Sequence, residues 1–144
     1  MFIYHKIPQY YETDQMGIIH HSNHIRYFEE ARLAYMDELG IGELIRNPES
    51  GVICPVLKVQ AEYKNMIRLC DALQIYVRLI QYNGFRYTFG YEIRSAETLC
   101  CTGTTELCFM TQENQPVRMK RSYPELHETL CRILEKDTAS ETNS

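Results

Sequence analysis

Four strand-like segments follow one another between Val52 and Gln112, and this run restricts the possible fold more than any other feature of the sequence. The segments are residues 52–64, 72–82, 85–95 and 98–112. In the second segment every other residue is apolar, as expected for a strand with one buried face. These alternating residues are Leu73, Ile75, Val77 and Leu79. The links between the segments are too short for helical crossovers, so neighbouring strands must be antiparallel.

Two short polar stretches predict the turns within this run. Asn83-Gly84 separates the second and third segments, and this dipeptide is the strongest short signal for a β-hairpin. The sequence QENQ at residues 112–115 is a second turn candidate. Ahead of the run, residues 2–11 are aromatic and β-branched, which predicts a further strand.

Two helices are predicted, one before the strands and one after them. The first starts at Asn23 or His24 and ends at Leu39, with Ser22 or Asn23 as N-cap. Its apolar face comes from residues at three- and four-residue spacing, namely Tyr27, Phe28, Ala31, Ala34, Tyr35 and Leu39. The second covers residues 123–137, with Pro124 in its first turn.

The element order therefore predicts an α+β fold in which one long helix covers a face of an antiparallel sheet of about five strands. We expect a single domain over residues 1–137. The last residues, 138–144, are small and polar, and they predict a disordered tail.

Composition excludes several classes of function. The net charge of -4 and the pI of about 5.7 are unlike those of nucleic-acid-binding proteins. No apolar run approaches the roughly 18 residues of a membrane span, and the first residues lack the apolar core of a signal peptide. The six cysteines form no C-x-x-C pair, so we expect reduced thiols and a cytoplasmic protein.

The stretch from Tyr10 to Leu33, YYETDQMGIIHHSNHIRYFEEARL, holds the candidate site. Asp14 could serve as a general base or as a nucleophile. Gly17 allows close backbone approach or a positive φ. The helix start near Asn23 offers free N–H groups and a partial positive charge, which stabilise an oxyanion. An acid and an oxyanion-stabilising helix end are what acyl transfer or hydrolysis requires.

Two other interpretations of the stretch remain open at this level. An aspartate ahead of a helix is often only a turn or capping residue. Metal binding is conceivable because Asp14 is followed by three histidines, which are also good metal ligands. These are His20, His21 and His24. No H-E-x-x-H pattern is present, and no nucleophile-elbow sequence supports a Ser/His/Asp triad, so we predict no metal site.

The same stretch resembles the motif of the 4-hydroxybenzoyl-CoA thioesterase family of hotdog-fold proteins. It is most similar to the acyl-CoA thioesterases associated with the Tol-Pal system. The matching residues are Tyr10, Thr13, Asp14, Gly17, Ile18, Ile19, His20, His21, Asn23, Tyr27, Glu29 and Arg32. A second match is the segment NQPVRMK, residues 114–120, which resembles the sequence that follows the last long strand in this family. His24 departs from the usual aromatic residue, which bears on the shape of the acyl pocket.

The resemblance implies a hotdog fold, a curved antiparallel sheet around one long central helix. It also implies a homodimer with a continuous sheet, often a homotetramer, and active sites at the dimer interface. The implied reaction is hydrolysis of an acyl-CoA or acyl-carrier-protein thioester. No cofactor is expected beyond the CoA portion of the substrate.

The resemblance also implies roles for individual residues. Asp14 is the catalytic carboxylate, either as nucleophile or as base for water. The backbone N–H of His21 holds the thioester oxygen at the helix start, beside Gly17 and Asn23. Tyr10 and the His21 side chain are linked to activity alongside Asp14. Tyr27, Phe28 and Tyr63 are candidates for the acyl pocket.

The phosphates of CoA require cations. The candidates are Lys64, Arg68, Arg118 and Lys120, with Arg118 and Lys120 favoured because they follow the family-like PVR. Two alternative functions remain for such a chain. One is a hotdog protein that binds an acyl thioester without hydrolysing it. The other is a hotdog hydratase or dehydratase, whose usual motif is not visible.

Overall fold

A computed structural model describes residues 1–142 of the chain, with side chains described as far as Ala139. Two 3₁₀ turns, Tyr10–Glu12 and Pro48–Ser50, accompany the regular elements. In chain order these elements are β1 (Phe2–Lys6), α1 (His21–Glu38), α2 (Gly42–Arg46), β2 (Val52–Ile53), β3 (Val56–Tyr63), β4 (Leu73–Tyr82), β5 (Arg86–Ser95), β6 (Thr98–Cys108), β7 (Met110–Thr111), α3 (Met119–Ser122) and α4 (Pro124–Thr142).

The main sheet has five antiparallel strands in the order β1-β4-β5-β6-β3, which confirms the predicted sheet. The β4–β5 hairpin turns at the predicted Asn83-Gly84 pair. Asn83 donates its N–H to the carbonyl of Arg86 at 3.0 Å, and Gly84 has a φ of +92°. Thr111 and Gln115 close the second predicted turn through a 2.8 Å backbone bond. β3 and β1 form the two edges.

The first and fourth predicted strand segments are each interrupted. Cys54 and Pro55 separate β2 from β3, because proline has no N–H to donate to a ladder. Phe109 separates β6 from β7, although its N–H still donates to the Phe85 carbonyl at 3.1 Å. The detached pieces β2 and β7 pair with each other in a small second sheet, with Val52 opposite Thr111.

The helix α1 packs its predicted apolar face against the main sheet. Tyr27, Phe28 and Ala31 are completely buried. The Phe28 ring stacks on Tyr91 of β5, with centroids 4.4 Å apart and planes 10° apart. A Cβ atom on Gly103 of β6 would lie 2.5 Å from the Phe28 ring, so this glycine permits the close approach of helix and sheet.

The last helix is longer than predicted. α4 continues to Thr142, five residues past the predicted end at residue 137, and residues 143 and 144 of the predicted tail lie outside the described part. Asp137, the last residue of the predicted helix, anchors α4 through a fully buried carboxylate. It accepts hydrogen bonds from the Tyr35 hydroxyl at 2.8 Å and the Leu79 N–H at 2.9 Å, and it pairs with the Met1 amino group.

Two general properties complete the description. Within residues 1–142, no helix is both long and apolar enough to cross a membrane. All six cysteines are free thiols, and only Cys70 and Cys131 are exposed.

Candidate active site

Asp14 is held by the loop that follows the first 3₁₀ turn. One carboxylate oxygen, Oδ1, accepts hydrogen bonds from the N–H of Met16 at 2.8 Å and of Ile18 at 3.4 Å. Gly17 closes the turn with φ +79°, and its N–H donates to the Asp14 carbonyl at 3.0 Å. The second oxygen, Oδ2, accepts no hydrogen bond from the described residues. The loop therefore fixes the carboxylate and leaves one oxygen available.

The start of α1 differs from the prediction by two or three residues. The helix begins at His21, and the N-cap is His20, not Ser22 or Asn23. The His20 ring nitrogen Nδ1 accepts the Ser22 N–H at 3.2 Å. Within the described chain, the His21 N–H donates to no protein group. This N–H is therefore free to bind an oxygen atom.

Asp14 and His21 line one pocket of about 250 Å³. Its apolar lining includes Met16, Met66 and Ile67. The sequence did not indicate these three residues. The segment around Ile67 is brought there by a backbone bond, in which the Ile19 N–H donates to the Ile67 carbonyl at 2.8 Å. The bond joins two segments that are far apart in the sequence, and no local sequence pattern predicts it.

Two rings close the pocket on the helix side. The Tyr63 hydroxyl, from β3, donates to the His21 carbonyl at 2.9 Å. Its ring meets the His24 ring edge-on, with centroids 4.8 Å apart. His24 is buried, and its Nδ1 makes no hydrogen bond. Burial lowers the pKa of His24, an effect that the nearby carbonyls of His21 and His20 oppose. Neutral imidazole is therefore favoured in the pocket.

Asn23 and Tyr10 do not line this pocket. The Asn23 side chain is buried and donates to the carbonyl of Glu12 at 2.9 Å. The Glu12 carboxylate is also buried and accepts from the Tyr27 hydroxyl at 3.0 Å. Asn23 and Glu12 thus join the 3₁₀ turn to the helix. Tyr10 is 81% exposed on that turn.

Of the three aromatic residues predicted for the acyl pocket, the structure places only Tyr63 in it. Tyr27 and Phe28 belong to the core beneath α1, and neither has exposed surface. The apolar periodicity that predicts the helix also predicts this core position. The aromatic character of the two residues therefore reflects packing against the sheet.

The predicted CoA-binding cations fall into two groups. Lys64 lines the pocket, where it pairs with Glu62 at 2.8 Å, and Arg68 adjoins the pocket through a β-bridge to Ile18. Arg118 and Lys120 lie instead at the β4–β5 hairpin, where the Arg118 guanidinium is 5.2 Å from the Phe85 ring centroid.

The length of β4 separates these two groups by about 30 Å within one chain. Within one chain, Arg118 and Lys120 therefore lie apart from the pocket that Asp14 lines. Proximity in sequence to PVR does not indicate which end of the sheet the residues occupy.

Metal chemistry receives no support from side-chain positions. Among the side chains that the structure describes, as far as Ala139, no three from histidine, cysteine, aspartate or glutamate are grouped as ligands. His20 is used as a cap, and its ring stacks on His21 with centroids 4.2 Å apart. What the pocket does offer is a positioned carboxylate, a free helix-start N–H and an apolar wall. These groups suit attack on an electrophilic carbonyl whose oxygen gains negative charge.

Comparison with known proteins agrees with this chemistry. Residues 8–130 match the family described as the thioesterase-like superfamily. A provisionally named esterase of Aquifex aeolicus (strain VF5) is 32% identical over 109 residues, which is 76% of this chain and 84% of that protein. A provisionally named acyl-CoA thioesterase of Bacillus subtilis (strain 168), YneP, is 29% identical over 122 residues, which is 83% of this chain and 87% of that protein.

Among solved structures, the DHNA-CoA thioesterase from Staphylococcus aureus superposes with a TM-score of 0.88 at 30% identity. The match covers 96% of this chain and 93% of that one. The architecture is thus that of the hotdog thioesterases, as the sequence predicted. The chain belongs to the thioesterase-like superfamily of hotdog-fold enzymes, which hydrolyse thioesters.

Proposed function

We propose that the protein hydrolyses acyl-CoA thioesters, with Asp14 as the catalytic carboxylate and the His21 N–H as the oxyanion donor. The observation that carries the proposal is the placement of both groups on one pocket. Asp14 keeps Oδ2 available, and the α1 N-terminus adds a partial positive charge near the carbonyl oxygen. The names of the relatives support CoA as the thiol portion.

Two reaction routes fit this pocket. In one, Asp14 Oδ2 attacks the carbonyl carbon, the C–S bond breaks, CoA leaves as a thiolate, and water then hydrolyses the mixed anhydride. In the other, Asp14 takes a proton from water as the water oxygen attacks, and that proton passes to the departing thiolate. Label found in Asp14 after a single turnover in ¹⁸O-labelled water identifies the anhydride route, because water has then attacked the Asp14 carbonyl. Label found only in the released acid fits the general-base route and also an anhydride opened at the acyl carbonyl.

The substrate's phosphates have candidate partners on both sides of a proposed dimer. Lys64 and Arg68 lie at the pocket of the same chain. Arg118 and Lys120 could reach a CoA molecule only if a second copy brings them to that pocket. β3 supports such a dimer because it is a sheet edge that could pair with the same edge of a second copy. Three of its apolar residues are exposed, namely Val56, Leu57 and Val59.

The test is release of free thiol from a panel of short aliphatic and aromatic acyl-CoAs. The blank must include enzyme alone, because Cys70 and Cys131 are exposed and also react with thiol reagents. Asp14→Asn should reduce kcat by at least about 10³-fold, as loss of a catalytic group does. Asp37→Asn, an exposed aspartate at the other end of α1, is the matched control and should retain full turnover.

Two results would contradict the proposal. Unchanged turnover in a folded Asp14→Asn protein would remove Asp14 from the mechanism. Saturable binding of acyl-CoAs without thiol release by the wild-type protein would instead identify a binding protein for acyl thioesters. The oligomeric state should be measured in the same samples by light scattering.

A further inference from the structure

Three side chains with reactive or titratable groups meet at the surface beside the β4–β5 hairpin. Tyr82 is the last residue of β4, and His127 and Cys131 lie on α4. The two helix residues are four positions apart, so they lie on the same face of α4, one turn from each other. None of the three residues lines the Asp14 pocket. The cluster is therefore separate from the groups proposed for thioester hydrolysis.

The His127 ring connects the other two side chains. Its Nδ1 is 2.7 Å from the Tyr82 hydroxyl oxygen, and its Nε2 is 3.6 Å from Cys131 Sγ. Its Cε1 atom lies 3.9 Å from the position that a Cβ would take on Gly84, so the ring also adjoins the hairpin turn. Both ring nitrogens are therefore engaged, and one of them is directed at a thiol that is exposed.

The Tyr82 hydroxyl determines which ring nitrogen carries the proton. Burial, followed by the charge of a Cys131 thiolate, raises the pKa of Tyr82, so its hydroxyl stays protonated and can donate. When Tyr82 donates to Nδ1, the proton of the neutral His127 ring is on Nε2. The Nε2–H then donates to Cys131 Sγ. A hydrogen-bond donor at the sulfur stabilises the thiolate, which is the nucleophilic form of cysteine.

Cys70 is the other exposed cysteine, and its surroundings differ. It lies in a turn after the β-bridge of Arg68, and its sulfur makes no hydrogen bond to the residues that the structure describes. The remaining cysteines are buried or half-buried. Cys131 is thus an exposed thiol with an imidazole donor, whereas Cys70 is an exposed thiol without such a donor among the described residues.

We propose that Cys131 is a modification site, at which the thiol forms mixed disulfides with small disulfide molecules. The Cys131 thiolate attacks one sulfur of the disulfide, a new S–S bond forms, and the original S–S bond breaks. Cys131 is oxidised, and the departing half of the disulfide is reduced to a thiolate. That thiolate takes a proton from solvent, which balances the proton that Cys131 released. Tyr82 acts through His127 as a positioning residue.

The test is the reaction of the full-length protein with hydroxyethyl disulfide at neutral pH, followed at each cysteine by peptide mass spectrometry. This probe is neutral, so the exposed carboxylates of Glu128 and Glu135, one turn from Cys131 on α4, do not repel it. Cys131 should react about tenfold faster than Cys70, because a larger fraction of it is thiolate.

Substitutions within the cluster should change the rate at Cys131 alone. His127→Leu removes the donor and should lower that rate to the rate at Cys70. Tyr82→Phe keeps the His127 ring but releases Nδ1, and it should lower the rate at Cys131 severalfold. His5→Gln, an exposed histidine on β1, is the matched control and should leave both rates unchanged. The ultraviolet absorbance of the thiolate, measured as the difference that Cys131→Ser makes in each protein, should fall in parallel with the rate.

Two outcomes would overturn the proposal. One is equal rates at Cys131 and Cys70 in the wild-type protein. The other is an unchanged rate at Cys131 in His127→Leu, with circular dichroism showing that this variant is folded. The readout is a mass increase at a cysteine and not thiol release from acyl-CoA, so the result is independent of the proposed thioesterase activity.

Discussion

The Tyr63 hydroxyl on edge strand β3 donates a 2.9 Å hydrogen bond to the carbonyl of His21, the first residue of α1. This bond fixes the turn whose N–H we propose as the oxyanion donor. Tyr63→Phe should lower kcat/KM about tenfold, because a small displacement of a positioning group weakens transition-state contacts. The free energy of unfolding should fall by only about 1 kcal/mol.

Steady-state kinetics and urea unfolding measure the two quantities for Tyr63→Phe. Tyr76→Phe, on the outer face of β4, is the matched control and should leave kcat/KM unchanged. Equal effects of both substitutions on kcat/KM would show that the Tyr63 bond does not position the helix start.

Gly17 and Gly40 provide a second matched pair. Both have positive φ, +79° and +81°, and neither would bring a Cβ within 4 Å of another group. Alanine should therefore cost about 1 kcal/mol of stability at either position, from backbone strain alone. Only Gly17→Ala should also lower kcat, because the strained turn carries Asp14. Thermal unfolding and turnover of the two variants test this, and equal kcat values would contradict it.

His24 should make the stability of the protein depend on pH. Its pKa is lowered in the folded state, so the unfolded chain binds a proton first as the pH falls. The free energy of unfolding should therefore decrease as the pH drops below about 6.5, the pKa of unfolded histidine. His24→Phe should reduce this slope, whereas the exposed control His5→Gln should leave it as in wild type. Urea unfolding between pH 7 and 5 gives the slopes, and identical slopes for His24→Phe and wild type would refute the prediction.

Gly103 and Gly90 test the close packing of α1 on the sheet. A Cβ on Gly103 would lie 2.5 Å from the Phe28 ring and from the Gln60 carbonyl, whereas one on Gly90 would make an ordinary 3.4 Å contact with Ile80. Gly103→Ala should lower the free energy of unfolding by about 3 kcal/mol, the upper range for overpacking. Gly90→Ala should change it by less than about 1 kcal/mol. A small effect at both glycines would mean that Phe28 moves aside easily.

The elements predicted correctly from sequence are those specified by nearby residues. The Asn83-Gly84 turn determines its hairpin, and the spacing of Tyr27, Phe28 and Ala31 determines the buried face of α1. Pro55 is the reason that the first strand segment divides, and its missing N–H is visible in the sequence. The remaining local error, the N-cap, arose because His20 uses a ring nitrogen where serine or asparagine is the usual cap.

The parts of the site that could not be predicted depend on contacts between distant segments. Ile67 reaches the pocket through a bond to Ile19, and Glu12 becomes buried only because Asn23 and Tyr27 cover it. The position of Arg118 at the β4–β5 hairpin likewise depends on distant contacts, because sequence distance does not report which end of the sheet a residue occupies. The roles of Asp14, His21 and Tyr10 stay predictions, of which Asp14→Asn tests the first.

The buried Asp137 carboxylate joins three separate parts of the fold, since it contacts the Met1 amino group, the Tyr35 hydroxyl and the Leu79 amide. Detachment of α4 would leave all three donors without their acceptor at once. The first strand and the last helix should therefore open as one cooperative unit, not fray independently as chain ends usually do. In native-state hydrogen exchange, amides of β1 and of α4 near Asp137 should show similar opening free energies.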